Sequence, residues 1–150
     1  MGKWGCVIKL LKESGYELNL NKFKDRLLLQ KLVYIAQKIF GIDLNYKFSW
    51  YHYGPYSRTL AIDASKYGLD NQMMCDMEIS KASKFVEFIN ELNNLGDLNY
   101  WVELIASYVM LTKDVYPKPK DPIKELITKK KHIKIDDVYK GVELLRKIGV

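Results

Sequence analysis

Apolar positions recur along this chain at two spacings, and the switches between them outline the elements. Over residues 3–14, Trp4, Val7, Ile8 and Leu11 fall three and four apart, the period of a helix with one buried face, and Gly15 stands where it should end. From Lys22 to Phe40 that period appears on two faces. Leu28, Leu32, Ile35, Ala36 and Ile39 form one stripe, and Leu27, Tyr34 and Phe40 add a second, between a candidate cap at Asn21 and Gly41. A helix apolar on two faces is expected to be the central one. The spacing then drops to two: Tyr46, Phe48, Trp50 and His52 alternate with Lys47, Ser49, Tyr51 and Tyr53, which predicts a strand. Gly54-Pro55 breaks it, and Ser57 reads as the cap of a third helix that Gly68 closes. In residues 71–79, Met73, Cys75 and Met77 alternate with Met74, Asp76 and Glu78, which predicts the return strand of a two-stranded wing.

The remainder is helical in pattern. Ala82, Phe85, Val86, Ile89 and Leu92 share one face up to Gly96. Asp97 then opens a helix striped by Leu98, Trp101, Val102, Ile105, Tyr108 and Val109. The loop "DVYPKPKD" is stiffened by its prolines, and Asp121 with Pro122 starts a short helix. A last helix carries Val138, Val142, Leu145 and Ile148 inward. The expected fold is a single compact domain, mainly α with a small β-hairpin (α+β). Its front part, about residues 1–79, is winged-helix-like, and residues 80–150 are helical.

Composition changes this picture little. The 150 residues are 48% hydrophobic and 28% charged, ordinary for a globular domain. No apolar run approaches the roughly 20 residues that span a bilayer, so no membrane partner is expected and the placement expected is cytoplasmic. Cys6 and Cys75 lie far apart with no CxxC spacing and are expected to be reduced packing thiols. His52 and His132 complete no metal-ligand pattern, and no cofactor motif occurs.

Charge is more informative. Of the net +6, most lies late: residues 113–150 hold 11 basic and 6 acidic residues, against 13 and 12 before them. The basic residues are 21 Lys and 3 Arg, a balance that suits phosphate backbones or acidic proteins better than base readout.

The run Leu29, Gln30, Lys31, Leu32 and Tyr34, followed by Tyr53, Gly54, Pro55 and Tyr56, resembles the YwgA-like family of uncharacterised prokaryotic proteins. It is more distantly similar to Panacea-type antitoxin and phage-associated domains. The resemblance covers about residues 22–112. It implies a fold family and, from the antitoxin side, a module that works by binding another protein or as a proteolysis adaptor.

Three features are candidates for function. The first is the aromatic turn, where Tyr51, Tyr53, Gly54, Pro55, Tyr56 and Arg58 form a Tyr- and Arg-rich surface of the kind favoured at interfaces. The second is Lys31, a charge on an otherwise apolar helix, able to snorkel or to face the turn and hold a phosphate or a partner carboxylate. The third is the basic run of Lys124, Lys129, Lys130, Lys131 and Lys134, which either closes a helix or grips nucleic-acid backbone. No nucleophile–base spacing is present. The leading expectation is a non-enzymatic protein-binding module, antitoxin-like or adaptor, acting as monomer or homodimer. The alternative is a DNA-binding regulator using Arg58 and the C-terminal lysines.

Overall fold

The computed structural model describes residues 2–51, 54–70 and 73–150. It is mainly helical with one small antiparallel sheet, as the periodicities imply. The order is α1 (Trp4–Ser14), α2 (Phe23–Lys38), β1 (Ser49–Tyr51), β2 (Gly54–Tyr56), α3 (Arg58–Tyr67), α4 (Ile79–Leu95), α5 (Leu98–Lys113), α6 (Pro122–Lys129) and α7 (Ile135–Lys147). Local signals end several of these helices where the sequence places them. Ser57, Asp97 and Asp121 each accept a backbone N–H with the side chain at the start of α3, α5 and α6. Gly15, left-handed at φ 76°, closes α1.

The wing does not form as expected. β1 pairs with β2, not with residues 73–79, the described part of the expected return strand: Ser49 faces Tyr56, Trp50 faces Pro55, and Tyr51 faces Gly54. Gly54-Pro55 therefore opens the second strand where it was expected to end the first. The cause is loop length, because closing two residues costs far less chain entropy than bridging some twenty. Residues 73–78 run without helix or strand, and they are fixed differently. Cys75 is joined to Cys6 of α1 by a disulfide of 2.07 Å, in place of the two reduced thiols expected.

The centre of the molecule is α5, which packs against α2, α4, α6, α7 and β2. Its buried residues Trp101, Val102, Leu104, Ile105, Ala106, Ser107, Val109, Met110 and Leu111 together reach round its whole circumference. The helix expected at the centre, α2, lies beside it and contributes Leu28 through Ala36 without an exposed residue. On the far side α7 approaches α5 at Gly141, where a Cβ would lie 2.7 Å from Leu104 Cδ2. No helix is long and apolar enough to cross a membrane among the described residues.

Candidate functional site

Alternation from Ile42 to Tyr51 sets the faces of the segment that enters the hairpin. Ile42, Leu44 and Tyr46 are buried, Phe48 and Trp50 half-buried, and Asp43, Asn45, Lys47, Ser49 and Tyr51 exposed. Tyr34 of α2 meets Phe48 edge-on at 5.3 Å. The Tyr46 hydroxyl donates to Asp63 at 2.7 Å, and burial together with that carboxylate pushes its pKa well above the usual value. Two glutamines of α2 clamp the backbone at either end of this segment. Gln37 exchanges two hydrogen bonds with Tyr46, donating to its carbonyl and accepting its N–H, each at 2.9 Å. Gln30 does the same to Ser57, at 3.0 Å to the carbonyl and 2.7 Å from the N–H.

These clamps turn part of the expected binding surface inward. Gly54 and Pro55 are buried, not presented. Gly54 adopts φ 101°, and a Cβ there would stand 3.0 Å from Ser107 Oγ and 3.8 Å from Lys31 Cε. Lys31 is buried as well, 5% exposed, behind the hairpin. Tyr53, expected in the same surface, lies outside the described residues. What faces outward is Tyr51, 53% exposed, in edge-on contact with half-buried Tyr56 at 5.2 Å, followed by exposed Arg58.

Beside Tyr56 opens a feature that the sequence did not announce. A groove of about 810 Å³ runs between the α1–α2 connector, the start of α2 and α3. Leu18, Leu20, Phe23, Leu27, Ala61 and Leu69 give it apolar surface, interrupted by Asn19, Asn21, Gln30 and Ser65 and by the charges of Arg26 and Asp70. Phe23 is 51% exposed, and Arg26 lies over its ring at 5.7 Å while donating to the Leu20 carbonyl. The available signal was the alternation of Leu18 and Leu20 in "YELNLN", which reads as connector because it is short and polar between.

The basic run is divided by the fold. Lys130 is buried and pairs with Glu103 at 2.9 Å, so it faces the core rather than a phosphate backbone. Glu103 takes His132 Nε2 on its other oxygen at 2.7 Å. Lys129 pairs along α6 with Glu125 at 3.4 Å. Lys124, Lys131 and Lys134 are exposed, but Asp136 and Asp137 follow directly on the first turn of α7. Burial raises the Glu103 pKa, but hydrogen bonds from His132 and Lys130 and the charges of Lys130 and Lys31 outweigh it, leaving the carboxyl below its ordinary range. Burial lowers the Lys31 pKa to about 8, with Glu103 opposing and Lys130 reinforcing the shift.

Compared with protein-family models, curated proteins and solved structures, the chain matches none.

Proposed function

We propose that this chain is a non-enzymatic binding module whose groove beside the Tyr51–Tyr56 pair takes an acidic segment with apolar anchors from another protein. The observation that carries the reading is the groove itself. Its apolar lining is open, and its rim continues into exposed aromatic surface, where rings supply contact area at low entropy cost. Arg26 and Asp70 are the charged residues of its lining; Lys22 and Lys24 adjoin Phe23 in the sequence and Arg58 follows Tyr56 by two residues, while the Asp25 carboxylate already accepts the Asn19 N–H at 2.7 Å. That balance favours an acidic occupant. An antitoxin-like or adaptor role fits such a surface and is what the distant similarity to Panacea-type domains implies.

A DNA-regulator role would rest on Arg58, Lys124, Lys131 and Lys134, without Lys130, which is spent on Glu103. A cytoplasmic protein with the Cys6–Cys75 bond would belong with heat-adapted intracellular proteins, where disulfides are common and Lys-rich surfaces are usual.

Selection from a displayed peptide library against the folded chain tests the groove. Enriched peptides should combine apolar anchors with Asp or Glu and lose binding when Ala61, on the groove wall, becomes Arg. Enrichment of peptides indifferent to Ala61→Arg would refute the groove as the site.

A further inference from the structure

Lys31 is the charged residue that the fold treats least kindly. It sits in mid-α2, 5% exposed, with its stem against Gly54. Removing an ammonium from water costs several kcal/mol unless a partner compensates. Among the described residues none does so by direct contact. Glu103 acts on its charge, yet gives one oxygen to Lys130 and the other to His132. Lys31 lines a pocket of about 320 Å³ between α2 and the start of α5. Leu27, Leu28 and Tyr100 form apolar walls, while Lys24, Asn99 and His132 bring polar groups.

The charges in and around this pocket do not cancel. Lys31 and Lys130 face one acid, Glu103, and at the mouth Lys24 stands against Asp97. With His132 counted neutral, one positive charge is left over inside. A monoanion balances that surplus. A phosphate dianion overshoots it and must approach Glu103.

We propose that this pocket is a binding site for a single carboxylate, held by the Lys31 ammonium with the Asn99 amide as a neighbouring donor. Leu27 is the wall shared with the larger groove. The carboxylate therefore comes either from a free organic acid or from an acidic side chain of a docked segment, and the chemistry at Lys31 is the same. The site does not depend on the groove reading. A bound carboxylate favours the protonated amine, so affinity falls as pH rises past the point where Lys31 loses its proton. The other titratable groups facing Lys31 are Lys24 on α2, Asp97, Tyr100 and Glu103 at α5, and Lys130 and His132 after α6.

Sodium acetate, titrated into the full chain and followed through the Asn99 side-chain amide in NMR spectra, tests this. The expected result is a saturable shift with a dissociation constant of about millimolar order at pH 7, weakened about tenfold at pH 9. The shift should be lost in Lys31→Met, kept in Ala61→Arg, and weaker with inorganic phosphate. N-acetylglutamate methylamide, a side-chain carboxylate on a capped residue, separates the sources. Binding as tight as acetate assigns the pocket to a polypeptide acid, and exclusion of it with acetate still bound assigns it to a free acid. No saturable shift in the wild-type chain, an identical one in Lys31→Met, or tighter binding of phosphate without pH dependence would overturn the proposal. The pH series needs no variant, so it stands even if Lys31→Met misfolds.

Discussion

Gln30 and Gln37 stand two turns apart on α2 and hold the two ends of one segment. Each carboxamide donates to a backbone carbonyl and accepts the N–H of the same residue, Ser57 for Gln30 and Tyr46 for Gln37. The hairpin between them has only three residues per strand, too little to persist alone. Its position is set by the helix it is tied to. Everything offered outward by this region, Tyr51, Tyr56 and Arg58, depends on those four hydrogen bonds.

Gln30→Leu should therefore lower stability by about 1–3 kcal/mol, since it leaves the buried Ser57 N–H without its partner, while the Ser57 carbonyl keeps the Ala61 N–H. Urea unfolding measures the loss. Gln30→Glu keeps the acceptor but sets a buried carboxylate oxygen against the Ser57 carbonyl, and should be no more stable than Gln30→Leu at neutral pH. Equal stability of all three would show that water replaces the clamp.

Gly54→Ala should cost about 1–3 kcal/mol, from the positive φ and from a Cβ pressed on Ser107 Oγ. Because Ser107 Oγ is buried with no hydrogen-bond partner among the described residues, Ser107→Ala should be nearly neutral alone and should recover part of the Gly54→Ala loss. Additive effects in the double variant would contradict this packing.

Reduction of the Cys6–Cys75 bond, or Cys6→Ser with Cys75→Ser, should destabilise the chain by about 4 kcal/mol, the loop-entropy value for bridging a separation of this size. Thermal unfolding with and without reductant checks it, beside a free-thiol titration that should find none in the oxidised protein. An unchanged midpoint would mean that residues 73–78 contribute nothing to the fold.

Lys31 gives a pH signature with a definite sign. Its folded pKa of about 8 lies below the unfolded value of 10.5. Between those values the unfolded chain binds the proton and the folded one does not, so stability rises with pH, by about 2–3 kcal/mol from pH 7 to pH 10. Lys31→Met should remove that rise and be the more stable chain at neutral pH. A parallel pH dependence in both proteins would place the titrating group elsewhere.

What could be read from the sequence was local. Ser57, Asp97 and Asp121 cap within two or three residues of themselves, and the helices they start were legible. The helical stripes gave most of the core, although Phe88 rather than Val86 is the buried neighbour of Phe85 in α4. Partner choice across the chain was not legible. The alternation at residues 73–77 is real enough to put Cys75 and Met77 half inside, but alternation does not name a partner, and Cys75 met Cys6 instead of a strand. Three consecutive lysines look equivalent in sequence. Helix phase and the position of Glu103 turn only Lys130 inward. The groove joins pieces of three elements, none of which carries it alone.

The groove is the central claim, and one titration tests it most directly. The wild-type chain and Ala61→Arg are each titrated with an enriched acidic, apolar-anchored peptide and with an arbitrary DNA duplex of about 30 base pairs, over a range of salt. The groove account expects the peptide to bind the wild type, to lose at least about tenfold in Ala61→Arg, and to weaken with salt far less steeply than a phosphate backbone would. Duplex binding that falls steeply with salt and ignores Ala61→Arg, with no peptide response, would contradict it and move the function to Arg58 and the exposed C-terminal lysines.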